Sequence, residues 1–213
     1  MKIIGISQRV EVMAQFSERR DCLDQNWGKL FENIGLSLIP IPNNLVDLRR
    51  WVELHRLDGI LLSGGNDLSF YSNTINVAPE RDRTETELLH IATDYKLSVL
   101  GVCRGMQMIN HFLGGKIIPV YGHTNTSHTL KPLAKLNILN DFSNVNSYHD
   151  WGVQLIDLAD SLEPLLITDD YTVEAFRHKF RPWFGIMWHP ERRQINGPSA
   201  DMALLSKIFK QKR

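Results

Sequence analysis

The stretch at residues 97–113 constrains the fold of this chain more than any other. Residues 97–102 form a short apolar run typical of a buried strand, and residues 104–113 carry apolar side chains at helical spacing. Cys103 lies at the junction, with Gly101 and Gly105 two residues away on either side. Small neighbours permit a sharp strand-to-helix turn that exposes the central side chain, as in a nucleophile elbow. Because a helix N-terminus favours the thiolate, the sequence predicts a reactive Cys103.

Composition excludes several classes of protein. The 213 residues include 24 basic and 24 acidic side chains, so no general attraction to nucleic acid or to a membrane surface is expected. The first residues form too short an apolar run for a signal peptide, and no run of about 18 apolar residues spans a membrane. Of the two cysteines, Cys22 and Cys103, a nucleophilic Cys103 must stay free. We therefore expect a soluble protein of a reducing cytoplasm.

Strand-like and helical patterns alternate through the first half of the chain. Apolar runs predict strands at residues 2–7, 36–39, 58–62 and 97–102, and helical periodicity lies between them at 20–34, 43–54 and 82–94. Later residues are mostly strand-like, at 131–138, 145–148, 173–178 and 183–188, before a last helix at 199–209. This order predicts an α/β fold: a mostly parallel central sheet flanked by helices, with an antiparallel extension in the C-terminal half. Without linkers or repeats, we predict a single domain over residues 1–213.

A cysteine nucleophile needs a base, and the base works best when a third group orients it. His189 and Glu191 flank Pro190 directly after a strand-like run, so both side chains can leave the chain on one side. Sites in parallel sheets assemble at the carboxyl ends of strands, which would bring His189 to Cys103. An isolated His-Pro-Glu is more often a surface turn, but its combination with the elbow cysteine favours a catalytic interpretation.

Two glycines supply a further part of the predicted site. Gly64 and Gly65 follow the strand at residues 58–62, and paired glycines let the backbone turn its N–H groups into a site. Together with the N–H of Arg104, the N–H of Gly65 is a candidate donor of an oxyanion hole.

These motifs resemble those of a known family. Residues 101–107, followed by Gly114 and Gly115, are similar to the nucleophile motif of class I glutamine amidotransferases, and residues 185–191 to their His/Glu motif. Several features match the free-standing γ-glutamyl hydrolase branch: residues 64–67 with Tyr71, Arg81 and Asp82 with Glu85, residues 146–149, and Asp169 with Glu174 and Ala175.

The resemblance implies a triad that cleaves a γ-glutamyl amide through a γ-glutamyl thioester. Cys103 would be the nucleophile, His189 the base and acid, and Glu191 the orienting group. The resemblance also implies that Gln107 and the backbone around Ser147 and Tyr148 bind the glutamyl group. Loop residues complete the candidate substrate site: Gly64, Asn66, Arg81, Arg83 and His149.

The sequence departs from that branch where the leaving group is expected. Met187 and Trp151 stand where the branch usually carries glutamine, and Ser69 and Phe70 follow where a proline is expected. Arginines fall in or beside the motif loops: Arg81, Arg83, Arg104, Arg177, Arg192 and Arg193. Several arginines converging on a cleft would suit an anionic leaving group such as a phosphate, whereas solvated ones would not. With an anionic leaving group of this kind, the chain would be similar to the family's hydrolases of γ-glutamyl-linked nucleotide phosphoramidates, which act in capsule-sugar modification.

Alternatives remain for the role of the site. His123 and His128 have no second ligand pair at metal spacing, so we interpret them as loop histidines and predict neither a metal nor a cofactor.

The first hypothesis is a free-standing hydrolase of a small γ-glutamyl compound, and residues 64–71 favour it. The alternative is a glutaminase subunit that passes ammonia to a separate synthetase partner. A non-catalytic relative would usually have lost the cysteine or the histidine.

Overall fold

The computed structural model describes residues 1–133, 139–192 and 198–210. Its strands are β1 (Ile3–Ser7), β2 (Arg9–Met13), β3 (Glu18–Cys22), β4 (Ser37–Ile41), β5 (Gly59–Leu62), β6 (Ser98–Val102), β7 (Ile118–Pro119), β8 (Thr124–Thr129), β9 (Lys131–Pro132), β10 (Asn144–Tyr148), β11 (Trp151–Gly152), β12 (Leu162–Ile167), β13 (Val173–His178) and β14 (Trp183–Ile186). Its α-helices are α1 (Asn26–Asn33), α2 (Leu48–His55), α3 (Pro79–Asp94), α4 (Arg104–Phe112) and α5 (Pro198–Lys210).

The central sheet has the strand order β4–β1–β5–β6–β14–β13–β12–β9. The pairs from β4 through to β14 are parallel. The pairs from β14 through β13 and β12 to β9 are antiparallel. This confirms the predicted α/β architecture, with an antiparallel extension built by the C-terminal half of the chain.

Helices cover both faces of this sheet. Residues 59 and 62 of β5 point to opposite faces because side chains alternate along a strand. A Cβ atom at Gly59 would lie 2.9 Å from the ring of Phe209 in α5, whereas Leu62 contacts Gly105 of α4. On the α5 side, Phe209 packs against Phe31 of α1 with ring centroids 6.0 Å apart. The parallel strands are therefore buried on both sides, which explains their continuous apolar sequence.

The segment after β1 differs from the prediction. Instead of one helix over residues 20–34, the chain forms an antiparallel β2–β3 hairpin, and α1 begins only at Asn26. The hairpin exposes most of its side chains, so it carries no apolar stripe that periodicity could detect. The next helix begins at Leu48 rather than near residue 43, because the side chain of Asp47 accepts the N–H of Arg50 at 2.9 Å as an N-cap.

The elements of the C-terminal half agree only in part with those predicted from the sequence. Strands β13 and β14 and helix α5 lie where the sequence predicts them, whereas β8 and β12 were not predicted. The predicted strand at 131–138 is represented by β9, and its residues 134–138 lie outside the described residues. None of the described helices has both the length and the apolar character needed to cross a membrane.

Candidate active site

Cys103 turns the chain from β6 into α4. Its backbone has φ 51° and ψ −108°, a strained conformation for a residue that carries a side chain. A Cβ atom at Gly101 would lie 2.4 Å from the carbonyl oxygen of Gly105, and one at Gly105 would lie 2.0 Å from that of Leu62. Glycine is therefore required at both positions, as the elbow motif predicts.

His189 lies near Cys103 because their strands are neighbours. In the parallel β6–β14 pair, Val102 lies opposite Ile186, and the N–H of Cys103 donates to the carbonyl of Ile186 at 2.8 Å. Asn146 fixes the loop that follows β14. Its side-chain oxygen accepts the N–H of His189 at 2.9 Å, and its side-chain nitrogen donates to the carbonyl of His189 at 2.9 Å. Two strands and one amide thus set the position of the imidazole.

Glu191 binds the imidazole of His189 from the other side. Its Oε1 lies 2.7 Å from Nδ1 of His189, and both side chains are buried. Burial alone would lower the pKa of His189, but the charge and hydrogen bond of Cys103 and the contact with Glu191 raise it to about 9. The structure therefore brings together the three residues of the predicted triad.

The same contacts act on the thiol. Burial would raise the pKa of Cys103, but the charge and hydrogen bond of His189 outweigh it, with further contributions from the charge of His149 and the N–H of Arg104. The pKa of Cys103 thus lies below its ordinary value. A thiol with a lowered pKa beside an imidazole with a raised pKa favours a thiolate–imidazolium pair at neutral pH.

The Gly64–Gly65 turn packs against the imidazole. A Cβ atom at Gly64 would lie 2.6 Å from Cε1 of His189, so only glycine allows this close approach. Gly65 has φ +82°, in the region that favours glycine. Gly65 and Arg104 line one cavity with Cys103, which keeps their backbone N–H groups as candidate oxyanion donors.

A cavity of about 420 Å³ opens over Cys103. Several predicted substrate-binding residues line it: Asn66, Gln107, Tyr148 and His149. Gln107 donates from Nε2 to the carbonyl of Trp151 at 2.7 Å, and Trp151 itself lines the cavity. Met187 is fully buried, so only one of the two positions where glutamine is usual faces this cavity. Ser147 is buried as well, and its hydroxyl donates to the carbonyl of His123 at 2.5 Å.

Two predicted arginines belong to a buried ion-pair network. Arg104 pairs with Asp82 and Glu85, and Arg81 pairs with Glu85 at 2.8 Å. Burial would raise the pKa of Glu85, but the charges of Arg104 and Arg81 lower it below its ordinary value. The prediction that Arg81 binds substrate is therefore wrong, because its guanidinium pairs with Glu85, and the guanidinium of Arg104 is likewise held by carboxylates.

Arg81 instead fixes the loop that carries the glycines. It donates to the carbonyls of Ser63 at 2.5 Å and Gly64 at 3.1 Å, and also to that of Gly65. Asn66 likewise acts within the fold, because its side chain accepts the N–H of Val10 at 2.8 Å and donates to the carbonyl of Val10 at 2.9 Å. Both residues therefore position the candidate oxyanion loop.

The remaining arginines divide between the site and other surfaces. Arg83 is exposed and lines a separate depression with Arg19 and Glu80, which contradicts its predicted role in substrate binding. Arg177 pairs with Glu163 at 2.7 Å, and Arg193 lies outside the described residues.

Arg192 lies at the cavity, with its guanidinium carbon 4.4 Å from the ring centroid of Tyr148. Sequence analysis missed Arg9, which lines an adjoining cavity of about 200 Å³ together with His189, Glu191 and Arg192. Its position just beyond the carboxyl end of β1 was the available signal, because sites assemble at such ends.

The structure also brings close together three histidines that the sequence analysis did not connect. His123, His128, His149 and Glu174 each offer a ligand atom, and these atoms all lie within 4.8 Å of one another. Strand β8 carries His128 and pairs with β10, which directly precedes His149, while Glu174 comes from β13. His123 lies in a loop, as interpreted, whereas His128 lies in β8, and strand pairing brings His149 and Glu174 close to both.

Comparison with known proteins adds independent information. The model of the Peptidase C26 family matches residues 2–191. The sequence is 36% identical over 191 residues to the γ-glutamyl-CDP-amidate hydrolase of Campylobacter jejuni, covering 89% of this chain and 90% of that protein. It is 30% identical over 176 residues to one subunit of the glutamine-hydrolysing GMP synthase of Methanococcus vannielii, covering 78% of this chain and 84% of that protein.

A solved structure shares the fold. The crystal structure of a glutamine amidotransferase from Thermotoga maritima aligns with a TM-score of 0.70 and 13% sequence identity, covering 99% of each chain. At that identity the likeness concerns the arrangement of strands and helices alone.

Proposed function

Because this chain belongs to the Peptidase C26 family of class I glutamine amidotransferase-like hydrolases, we propose that it hydrolyses a γ-glutamyl amide or γ-glutamyl phosphoramidate through a thioester on Cys103. The observation that carries this proposal is the contact between a strained elbow cysteine and a buried His189–Glu191 pair. A cavity large enough for a small molecule opens directly over the thiol.

The proposed reaction has two halves. The Cys103 thiolate attacks the γ-carbonyl carbon, and the N–H groups of Gly65 and Arg104 stabilise the resulting oxyanion. The imidazolium of His189 protonates the leaving nitrogen, so the C–N bond breaks and the γ-glutamyl thioester remains. Neutral His189 then takes a proton from water, the hydroxide displaces the sulfur, and glutamate leaves with the thiolate restored. Glu191 holds the ring in one orientation through both halves.

We propose that the leaving group is an anion such as a nucleotide phosphoramidate. Arg192 supports this, because it lines both cavities beside His189 and its side chain is 34% exposed. Arg9 also lines one of these cavities, but its guanidinium pairs with Glu11. The name of the Campylobacter jejuni relative describes such a compound. A free thiol at Cys103 also makes a reducing compartment such as the cytoplasm part of the proposal.

Glutamate release from a panel of γ-glutamyl compounds tests the reaction. We expect Cys103→Ala to abolish release and Cys22→Ala to retain it, since Cys22 is the other free cysteine. A γ-glutamyl chloroketone should label Cys103 and spare Cys22. Activity that persists in Cys103→Ala, or labelling mainly at Cys22, would refute the nucleophile.

Steady-state kinetics on glutamine and on a γ-glutamyl phosphoramidate test the leaving group. A hydrogen bond to a charged group contributes about 1.5–3 kcal/mol, so Arg192→Gln should lower kcat/KM for the phosphoramidate by roughly 10- to 100-fold and spare glutamine. Arg83→Gln is the matched control, because Arg83 is exposed away from the cavity. Equal losses on both substrates, or a preference for glutamine, would refute the anionic leaving group.

A glutaminase subunit is the second candidate, and the GMP synthase relative supports it. That function requires glutamine as the preferred substrate and a rate that rises when a synthetase partner is added. The same kinetic comparison separates the two candidates, since the free-standing hydrolase needs no added protein.

A further inference from the structure

A second cluster of titratable side chains lies next to the catalytic cysteine, and it shares His149 with the cavity over the thiol. His123, His149 and Glu174 are buried and His128 is half-buried, and one ligand atom from each lies within 4.8 Å of all the others. Such a density of imidazole and carboxylate groups away from solvent is unfavourable unless something pairs with them.

Hydrogen bonds fix which ring nitrogens point into this cluster. Nε2 of His123 lies 2.9 Å from Asp170, and Nδ1 of His149 lies 3.0 Å from the carbonyl of Trp151. Both oxygen partners accept, so these nitrogens carry a proton whether the ring is neutral or charged, and the metal-binding form is the one in which both rings are neutral. The lone pairs of Nδ1 of His123 and Nε2 of His149 are therefore left for the cluster. A carboxylate or carbonyl behind a histidine is the usual outer support of a metal-bound imidazole.

The inward atoms lack other partners. The buried atoms without a hydrogen bond include Nδ1 of His123, Nε2 of His128, Nε2 of His149 and both carboxylate oxygens of Glu174. Nε2 of His149 lies 3.6 Å from Oε1 of Glu174, which is an ion-pair contact when His149 is protonated, so a bound metal ion would take the place of that proton. All of these atoms can donate an electron pair, so a single cation would satisfy them together.

We propose that His123, His128, His149 and Glu174 bind a Zn²⁺ ion. Three imidazole nitrogens and one carboxylate oxygen suit a tetrahedral transition-metal site, whereas Mg²⁺ and Ca²⁺ prefer oxygen ligands. Bonds of about 2.0–2.1 Å place tetrahedral ligands roughly 3.3 Å apart, so ligand atoms that lie up to 4.8 Å apart must move closer when the ion binds. Four protein ligands close the coordination shell, which makes the site structural rather than catalytic.

The ion would tie together the elements that surround the active site. It joins the β8–β10 hairpin to β13 of the central sheet, and β10 carries Asn146, which holds the backbone of His189. The site is separate from the nucleophile, because Cys103, His189 and Glu191 contribute no ligand.

Metal content tests the proposal directly. The purified full chain, stripped with a chelator and then given Zn²⁺, should retain one ion per chain by elemental analysis after desalting. With Co²⁺ it should show the intense visible absorption of a tetrahedral site. His128→Gln should abolish both signals, and the exposed His90→Gln is the matched control. Asp170→Asn, which removes the negative charge behind His123, should weaken Zn²⁺ affinity by about 10- to 100-fold.

Folding and nucleophile controls keep the test decisive. Circular dichroism establishes that each variant is folded, and Zn²⁺ should raise the Tm of the wild type but not of His128→Gln. Cys103→Ala should bind Zn²⁺ as the wild type does. Folded wild type that retains no Zn²⁺ overturns the proposal. Equal binding by His128→Gln overturns it too, as does loss of binding in Cys103→Ala, which would assign the metal to the thiolate.

Discussion

At the scale of single residues, the proposed nucleophile Cys103 and the proposed acid His189 each shift the pKa of the other. The thiol of Cys103 has a lowered pKa because His189 is charged beside it, and His189 has a raised pKa largely because Cys103 and Glu191 are negative. These opposite shifts favour the form in which the proton lies on His189, the group proposed to protonate the leaving nitrogen.

This coupling sets the expected pH profile. kcat/KM should be level through neutral pH and fall above about 9, where His189 loses the proton that the leaving group needs. Glu191→Gln removes a negative charge that raises the pKa of His189, so the alkaline limb should move to lower pH. His189→Asn should lower kcat by about 10²–10⁴, and Glu191→Gln by less. An alkaline limb that stays in place in Glu191→Gln would contradict this assignment.

Single residues also show which features of the site can be predicted from the sequence. The glycines around Cys103 were predictable, because a tight turn excludes a Cβ atom whatever the rest of the chain does. The partners of the arginines were not, since the guanidinium groups of Arg81 and Arg104 bind carboxylates of α3. Whether a guanidinium meets a carboxylate or a ligand depends on packing that local spacing does not encode.

At the scale of elements, helix α3 supports the candidate oxyanion loop from beneath. Its Arg81 binds three successive carbonyls of residues 63–65 and also pairs with Glu85 of the same helix. Glu85 in turn accepts from Ser7 at the end of β1, at 2.7 Å. The loop, the helix and the first strand therefore form one buried polar unit.

Removing one member of this unit should destabilise the fold. Arg81→Ala leaves Glu85 and the three carbonyls short of a buried donor, and breaking a buried ion pair costs about 3–5 kcal/mol. Arg83→Ala, two residues away on the exposed side of α3, should change the free energy of unfolding by less than about 0.5 kcal/mol. Urea unfolding at neutral pH measures both variants.

The conservative variant separates stability from loop geometry. Arg81→Lys keeps the charge but not the planar group that reaches several carbonyls, so it should lower kcat more than it changes KM. Unfolding of Arg81→Ala at the same urea concentration as Arg83→Ala would contradict the supporting role of α3.

Elements differ in how well their patterns predict them. The buried parallel strands were found because they are continuously apolar, whereas the β2–β3 hairpin is stabilised mainly by its own backbone pairing. Charged residues such as Arg19 and Arg20 occupy β3, and the apolar spacing that starts near Cys22 extended the predicted helix backwards. A strand with neither face buried gives no periodic signal.

At the scale of the whole molecule, we propose that the chain is one domain. The buried hydrophobic residues form one cluster that includes Trp27 from α1, Trp183 from β14 and Phe209 from α5. Unfolding should therefore be a single cooperative transition, with tryptophan fluorescence and far-ultraviolet circular dichroism giving coincident curves in urea. Two resolved transitions would show that the halves of the sheet unfold separately.

The central position of β14 has a consequence for synthesis. It is the last strand among the described residues, and it lies between β6 and β13, where it joins the parallel part of the sheet to the antiparallel part. On the ribosome, the emerging polypeptide therefore carries two unfinished sheets with open edges until residues 183–186 leave the exit tunnel. Open edges pair readily with other chains, so fragments that stop before β14 should depend on chaperones or aggregate. Because His189 follows the same strand, a nascent chain that has not closed its sheet also cannot turn over substrate.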